Sequence, residues 1–246
     1  MKRPPLLLGH RGTRVLRASP ENTFAAFETA LAQGGDGFEF DVRRTSDGEA
    51  VVVHDPKYRG AMVAKTGGKQ LKALPRLRAV LEKYGGRCFL DIELKVKDLE
   101  SEVLAALREQ PLSRGYVVSS FLPEVLLELR LRRGGIPLGI ICETSAQLKR
   151  GLALPVEYFI LKEPLIREGL VHEAHAEDKR ILAWTVNKPE NMLELAKWGV
   201  DGLVSDDPAL LVKTIRGESG PEAPSKRAQS ASVHKQSRLT RRTERR

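Results

Sequence analysis

Gly37-Phe-Glu-Phe-Asp-Val-Arg43 is the stretch that decides the fold. The large apolar residues Phe38, Phe40 and Val42 alternate with the carboxylates Glu39 and Asp41, and a period of two is that of a β-strand. Both carboxylates then share one face, and in a closed barrel that face carries two negative charges into the interior. Immediately downstream the chain turns at Ser46-Asp-Gly and returns through Glu49-Ala-Val-Val-Val-His54, which predicts a β-hairpin on the rim.

Outward from this strand, short apolar runs alternate with segments of helical period. Strands are expected at 6–9, 37–43, 88–94, 116–119, 137–141, 157–161, 180–186 and 202–205. Asn22 is the expected N-cap of the helix that begins at Thr23, with Gly34 just past its end, and Pro123, Pro189 and Pro208 suit first-turn positions. The polar stretch Asp55 to Lys72 reads as a loop, and the helix that covers the second strand falls at about 75–84. Eight βα units predict a TIM (β/α)8 barrel, with a doubly wound open sheet as the alternative.

The 246 residues suit one such barrel, and 41% hydrophobic with 30% charged residues permits a sizeable core. The basic start Met1-Lys-Arg is followed by only three consecutive leucines, too few for a signal peptide, so the chain reads as cytoplasmic. No stretch approaches the roughly 18 apolar residues of a membrane-spanning helix. Cys88 and Cys142 lie in apolar strand-like runs without metal-site spacing and read as buried free thiols.

The net charge of +9 is uneven. From Gly217 to Arg246 there are eight Lys or Arg against three Glu, so this short stretch holds +5 of it. Its polar composition predicts a disordered basic tail beyond a barrel of residues 1–216. Contact of the tail with an anionic surface is the alternative to plain solvation, and no specific nucleic-acid partner follows from its charge.

Residues at the C-terminal ends of barrel strands converge on one site. Those ends carry His10 and Arg11, Glu39 and Asp41, and Asp91-Ile-Glu93-Leu-Lys95, while the hairpin returns His54. Glu39, Asp41 and Glu93 repel one another unless a cation or proton intervenes. A hard oxygen site for one divalent cation, Mg²⁺ or Ca²⁺ and less well Mn²⁺, satisfies them; the alternative is a structural salt-bridge layer with Lys95 and Arg11. Two imidazoles beside such a site suit acid/base hydrolysis near neutral pH, and Arg11 suits a phosphate oxygen pair.

Gly9-His-Arg-Gly, Pro20-Glu-Asn-Thr, Phe38-Glu-Phe-Asp-Val and Val53-His-Asp together resemble the glycerophosphodiester phosphodiesterase family. The resemblance continues through Asp91-Ile-Glu-Leu-Lys, Ser119-Ser-Phe, Trp184-Thr-Val-Asn and Asp201-Gly-Leu-Val-Ser-Asp-Asp-Pro, covering about residues 6–212. It implies a metal on Glu39, Asp41 and Glu93, an acid/base pair of His10 and His54, phosphate contacts from Arg11 and Lys95, and Trp184 as a pocket wall. The implied activity is hydrolysis of glycerophosphodiesters to an alcohol and glycerol 3-phosphate, a part of lipid metabolism. The two proton-transfer roles stay unassigned between the histidines. Ser119, Glu143, Lys162 and Asn187 are weaker candidates, while Glu21 and Asn22 are expected to hold the first loop.

Many members of that family carry a longer insertion after the hairpin, whereas only Asp55 to Leu74 is available here. A more open mouth brings phospholipase D-type hydrolysis of a lysophospholipid or sphingolipid into consideration. The first loop, Thr13 to Ser19, is slightly long and carries Arg14 and Arg17 toward the mouth. An inactive barrel used as a binding scaffold is the alternative of another class.

Overall fold

The computed structural model describes residues 4–16 and 18–217, and its elements alternate as the sequence pattern implies. In chain order the strands are β1 (Leu6–Gly9), β2 (Gly37–Arg44), β3 (Ala50–Val52), β4 (Lys57–Tyr58), β5 (Ala61–Met62), β6 (Phe89–Leu94), β7 (Tyr116–Ser120), β8 (Leu138–Cys142), β9 (Tyr158–Lys162), β10 (Arg180–Trp184) and β11 (Gly202–Ser205). The helices are α1 (Phe24–Ala32), α2 (Leu77–Tyr84), α3 (Glu100–Glu109), α4 (Pro123–Arg132), α5 (Ser145–Gly151), α6 (Glu168–Ala176), α7 (Pro189–Trp198) and α8 (Pro208–Arg216).

Strand β1 pairs in parallel with β11 on one side and with β2 on the other, through Leu8 opposite Gly37 and Gly9 opposite Phe38. The remaining parallel neighbours run β2, β6, β7, β8, β9, β10 and β11, so eight strands close on themselves as a TIM barrel. A doubly wound sheet would leave two edges, and closure excludes it. The rim hairpin is present: β3 runs antiparallel to β2 with Val42 opposite Val52 and Arg44 opposite Ala50.

Two apolar layers hold the barrel. Phe38, Phe40 and Val42 point outward into the layer beneath the helices, where the Phe38 ring stacks on Phe27 of α1 at 4.1 Å between centroids. Removing such a buried ring costs about 3–5 kcal/mol. Leu8, Val117, Ile160, Leu182 and Val204 fill the interior below the site. Interior packing is thus apolar beneath and acidic above, and that boundary sets the floor of the cavity.

Helix punctuation follows the expected residues with one exception. Pro123, Pro189 and Pro208 open α4, α7 and α8, and Gly34 adopts φ +90° just past α1. The N-cap of α1 is Thr23, not Asn22: the Thr23 hydroxyl accepts from Ala26 N at 3.3 Å. Asn22 has φ +59° and turns its amide into the barrel instead. Strand β10 ends at Trp184 rather than Val186, although the Val186 amide still donates to Val204 O of β11 at 2.9 Å.

The stretch after the hairpin is not a plain loop. It folds into the β4–β5 ribbon and a 3-10 turn at Val63–Lys65 over a small core of Val51, Val53, Val63, Leu71 and Leu74. Both cysteines are buried free thiols, and burial pushes Cys88 to about 12 and Cys142 to about 11. No described helix is long and apolar enough to cross a membrane. The expected tail lies outside the described residues apart from Gly217, and Arg17 also lies outside them.

Candidate active site

The turn after β1 aims the first histidine. A Cβ on Gly9 would meet Gly12 O at 1.9 Å, and Gly12 has φ +84° with its α-carbon face against the Ala26 backbone. Only glycine fits both places. The turn directs the buried His10 ring toward the barrel axis and sets the Arg11 amide 2.9 Å from Glu39 Oε2.

Alternation on β2 and β6 places Glu39, Asp41 and Glu93 inside, and register places Asp41 directly opposite Glu93 and Glu39 opposite Asp91. All three expected ligands are buried, and one oxygen from each lies within 4.8 Å of the others. Glu39 Oε1 is buried without a hydrogen-bond partner, while Asp41 Oδ1 and Glu93 Oε1 have only the Lys95 ammonium. Lys95 Nζ reaches Glu93 Oε1 at 2.7 Å and Asp41 Oδ1 at 3.3 Å as an ion pair, and Arg11 Nε lies 3.1 Å from Asp41 Oδ2.

The salt-bridge layer therefore exists, but it is incomplete. Four buried carboxylates, counting Asp91, have only Lys95 and Arg11 in ion-pair contact, and Asp91 and Glu39 Oε1 receive neither. Burial, with repulsion from Asp41 and Glu93, lifts Glu39 well above the usual carboxylate range. Burial and then Asp41 push Glu93 to about 8, and burial pushes Asp91 to about 7 although Ser119 donates to it at 2.6 Å. Asp41 is buried too, yet Lys95 and Arg11 outweigh that penalty and hold it below its ordinary value. A divalent cation is the group that would satisfy one oxygen of each of Glu39, Asp41 and Glu93 together and relieve their repulsion.

His10 Nδ1 lies 2.7 Å from Asp206 Oδ1, which leaves Nε2 on the cavity side, 3.9 Å from Glu39 Oε2. His54 comes from the hairpin, whose Val53 amide donates to Asp41 O at 3.0 Å. Its ring is one-third exposed, with Nδ1 2.8 Å from Asp55 Oδ1, and it acts electrostatically on Asp41. Both imidazoles thus have one nitrogen tied to a carboxylate and one available.

Several neighbours carry more than the sequence suggested. Asp206 was visible within the Asp201-Gly-Leu-Val-Ser-Asp motif, but its partner is 196 residues away. Burial opposes its charge, but His10, Asn187 and Arg14 outweigh this and hold it far below the usual range. Asn187 Nδ2 donates to Asp206 Oδ2 at 2.7 Å, and Asn22 Nδ2 donates to Asp41 Oδ2 at 2.7 Å. Glu21 does hold the first loop, taking Arg11 Nη1 at 2.7 Å and Arg14 Nε at 2.5 Å. Arg14 also reaches Asp206 at 3.1 Å, joining the first and last βα loops.

Trp184 lines the cavity with His10, Glu39 and Glu93, its ring edge-on to Phe121 at 5.6 Å. Glu143 and Lys162 pair with each other at 3.6 Å. Arg43, the next inward residue of β2 after Asp41, was not singled out by the pattern. A wider depression of about 940 Å³ opens at the opposite end of the barrel around Phe89, Tyr158 and Arg180, and neither the acidic triad nor His10 or His54 lines it.

Comparison with known proteins bears on the family and the fold. The Glycerophosphoryl diester phosphodiesterase family matches at residues 10–108 and 80–210. A glycerophosphodiester phosphodiesterase of Caldanaerobacter subterraneus is 29% identical over 244 residues, covering 86% of this chain and 98% of that protein. The crystal structure of a glycerophosphodiester phosphodiesterase from Agrobacterium tumefaciens is similar with a TM-score of 0.76 at 25% identity, covering 87% of this chain and all of that one (100%). An Oleispira antarctica phosphodiesterase, solved with the product sn-glycerol-3-phosphate, has the same fold, with a TM-score of 0.76 at 24% identity over 87% of this chain and 97% of that one.

Proposed function

We propose, from the premise that the chain belongs to the glycerophosphoryl diester phosphodiesterase family, that it hydrolyses glycerophosphodiesters to an alcohol and glycerol 3-phosphate. The observation that carries this reading is the buried cluster of Glu39, Asp41 and Glu93, one oxygen of each within 4.8 Å of the others, with Glu39 and Glu93 lining the same cavity as His10. A scaffold that only binds has no use for so many carboxylates buried together.

Glu39, Asp41 and Glu93 would hold one divalent cation, and an all-oxygen donor set suits Mg²⁺ or Ca²⁺, with Mn²⁺ less suited. When bound, such an ion supplies Lewis-acid stabilisation of charge on the phosphoryl oxygens. Arg11 and Lys95, fixed by their carboxylate partners, place two further positive charges beside the same oxygens. One imidazole accepts the proton of the attacking oxygen, from water or a neighbouring substrate hydroxyl, and the other donates to the departing alkoxide. Asp206 and Asp55 fix the tautomers of His10 and His54, so that each presents its Nε2 to substrate. Trp184 walls the apolar side of the pocket, and we place the activity in the cytoplasm, where two unpaired thiols persist.

A second reading, phospholipase D-type hydrolysis of a lysophospholipid, draws support from Val15 and Leu16. These apolar residues are exposed on the β1–α1 loop, beside a mouth with only a small cover. Glycerophosphocholine and lysophosphatidylcholine, each assayed with Mg²⁺ or Ca²⁺ and with chelator, separate the two. Chelator-sensitive release of glycerol 3-phosphate from glycerophosphocholine is expected. Hydrolysis of neither substrate, unchanged by chelator, would overturn both readings.

A further inference from the structure

Resting on the phosphodiesterase reading, the inference concerns the part of the substrate beyond the scissile phosphorus. Arg43 lies on the inward face of β2 with Glu39 and Asp41. Two residues past Asp41, at about 3.3 Å per residue, its backbone is about 6.6 Å further along the strand, level with that of Lys95. It is partly buried, and its Nε donates to the His54 backbone carbonyl at 2.6 Å. Among the described residues, Nη1 and Nη2 meet no hydrogen-bond acceptor.

The neighbouring cations differ. Lys95 reaches down to Asp41 and Glu93, and Arg11 is held by Asp41 and Glu21. Both are engaged by the acidic cluster, where the scissile phosphate belongs. Arg43 is within electrostatic range of Asp41, Glu93 and Asp55 but is turned to the His54 carbonyl of the rim hairpin, with Nη1 and Nη2 unengaged. A guanidinium fork half removed from water matches two oxygens of a carboxylate or phosphate, and neither choline nor a plain polyol offers that pair.

We propose that Arg43 is a specificity residue, whose Nε holds the hairpin carbonyl of His54 while its Nη edge binds an anionic substituent on the alcohol half of the diester. The anchored edge limits the side-chain freedom lost on binding, and the bond to His54 O holds the fork beside the rim hairpin, on the side of the leaving alcohol. Glycerophosphoserine, with a carboxylate beyond the phosphate, presents the required group; glycerophosphocholine does not.

Steady-state kinetics of the full chain on these two esters with Mg²⁺, for the wild type, Arg43→Met and Arg43→Lys, provide the test. The Met variant is expected to lose about 10- to 100-fold more kcat/KM on glycerophosphoserine than on glycerophosphocholine, mainly through KM. The Lys variant should recover part of that difference, because it keeps the charge without the fork. Equal losses on both esters in both variants would reduce Arg43 to a clamp on the hairpin and overturn the proposal, as would no loss on either. A wild-type chain inactive on both esters would overturn the parent reading and this one with it, whereas an active wild type with an unchanged ester ratio overturns this one alone.

Discussion

Asp206 Oδ1 sits 2.7 Å from Nδ1 of His10, so the loop after the last barrel strand fixes the ring presented by the loop after the first. Closure makes this possible, because β11 pairs with β1 through Ser205 opposite Gly9. The contact ties down one ring nitrogen and leaves Nε2 for proton transfer. Asp206→Asn is expected to lower kcat by about 10- to 100-fold with little change in KM, since it weakens the contact that orients the His10 ring but leaves the pocket in place. Calorimetric Mg²⁺ titration of the same variant should match the wild type, and weakened metal binding would instead place Asp206 in the ion site.

The triad and the rim histidine should separate by experiment. Glu39→Ala or Glu93→Ala removes one of the three clustered carboxylates, so metal binding and turnover are both expected to vanish. His54→Ala touches neither, and should spare metal binding while lowering turnover by about 10²- to 10⁴-fold. Metal titration beside kinetics decides this, and loss of binding in His54→Ala would make that imidazole a ligand.

The strands that carry the site were legible because Phe38 to Val42 and Asp91 to Lys95 keep a strict period of two, and a strand of that period has no choice about which face is acidic. What sequence spacing hides is the partner. Asn22 precedes an apolar helical run and carries a capping side chain, so local chemistry favours the cap; yet Thr23 is an equally good cap one residue on. With Thr23 in that place, the Asn22 amide is free to meet Asp41, accepting from its N–H at 3.1 Å and donating to its carboxylate at 2.7 Å. Asp206 and Arg43 escaped for the same reason, their contacts being set by barrel closure and hairpin return.

That contact makes Asn22 a measurable support of the ion site. Asn22→Ala leaves the Thr23 cap intact and frees one Asp41 oxygen to rotate. Divalent-ion affinity is expected to fall by about 10- to 100-fold, with a helical far-ultraviolet signal like that of the wild type. An unchanged affinity would show that Arg11 and Lys95 alone hold the carboxylate.

Stability of the metal-stripped protein should depend on pH with a definite sign. Burial holds Glu93 at about 8 and Asp91 at about 7, against about 4 in an unfolded chain, so between these values the folded state binds more protons than the unfolded one. Stabilisation from this source is fully present below about pH 4 and is lost as pH rises through about 8. Urea midpoints in chelator are therefore expected to fall from about pH 5 to about pH 9, and saturating Mg²⁺ should flatten the trend by replacing those protons. A midpoint that rises across this range without metal would contradict the carboxylate repulsion inferred for the cavity.

The last helix determines what removal of the C-terminal residues should do. Helix α8 starts beside Asp206 at the catalytic mouth and runs to the other end of the barrel. There Arg216 donates to Gly34 O at 2.7 Å and to Asp36 Oδ1 at 2.6 Å. Asp36 directly precedes β2 and accepts from Leu7 N at 2.9 Å, so the helix end is anchored at the face opposite the acidic triad. Deleting Gly217 to Arg246 leaves these contacts and every site residue in place. Turnover of a soluble diester by the truncated chain is expected to equal that of the full chain, with a melting temperature within about 2 °C, since only contacts from beyond the anchored helix could alter it. A large loss of turnover would show that the segment reaches the mouth or the fold, and would move the domain boundary past residue 216.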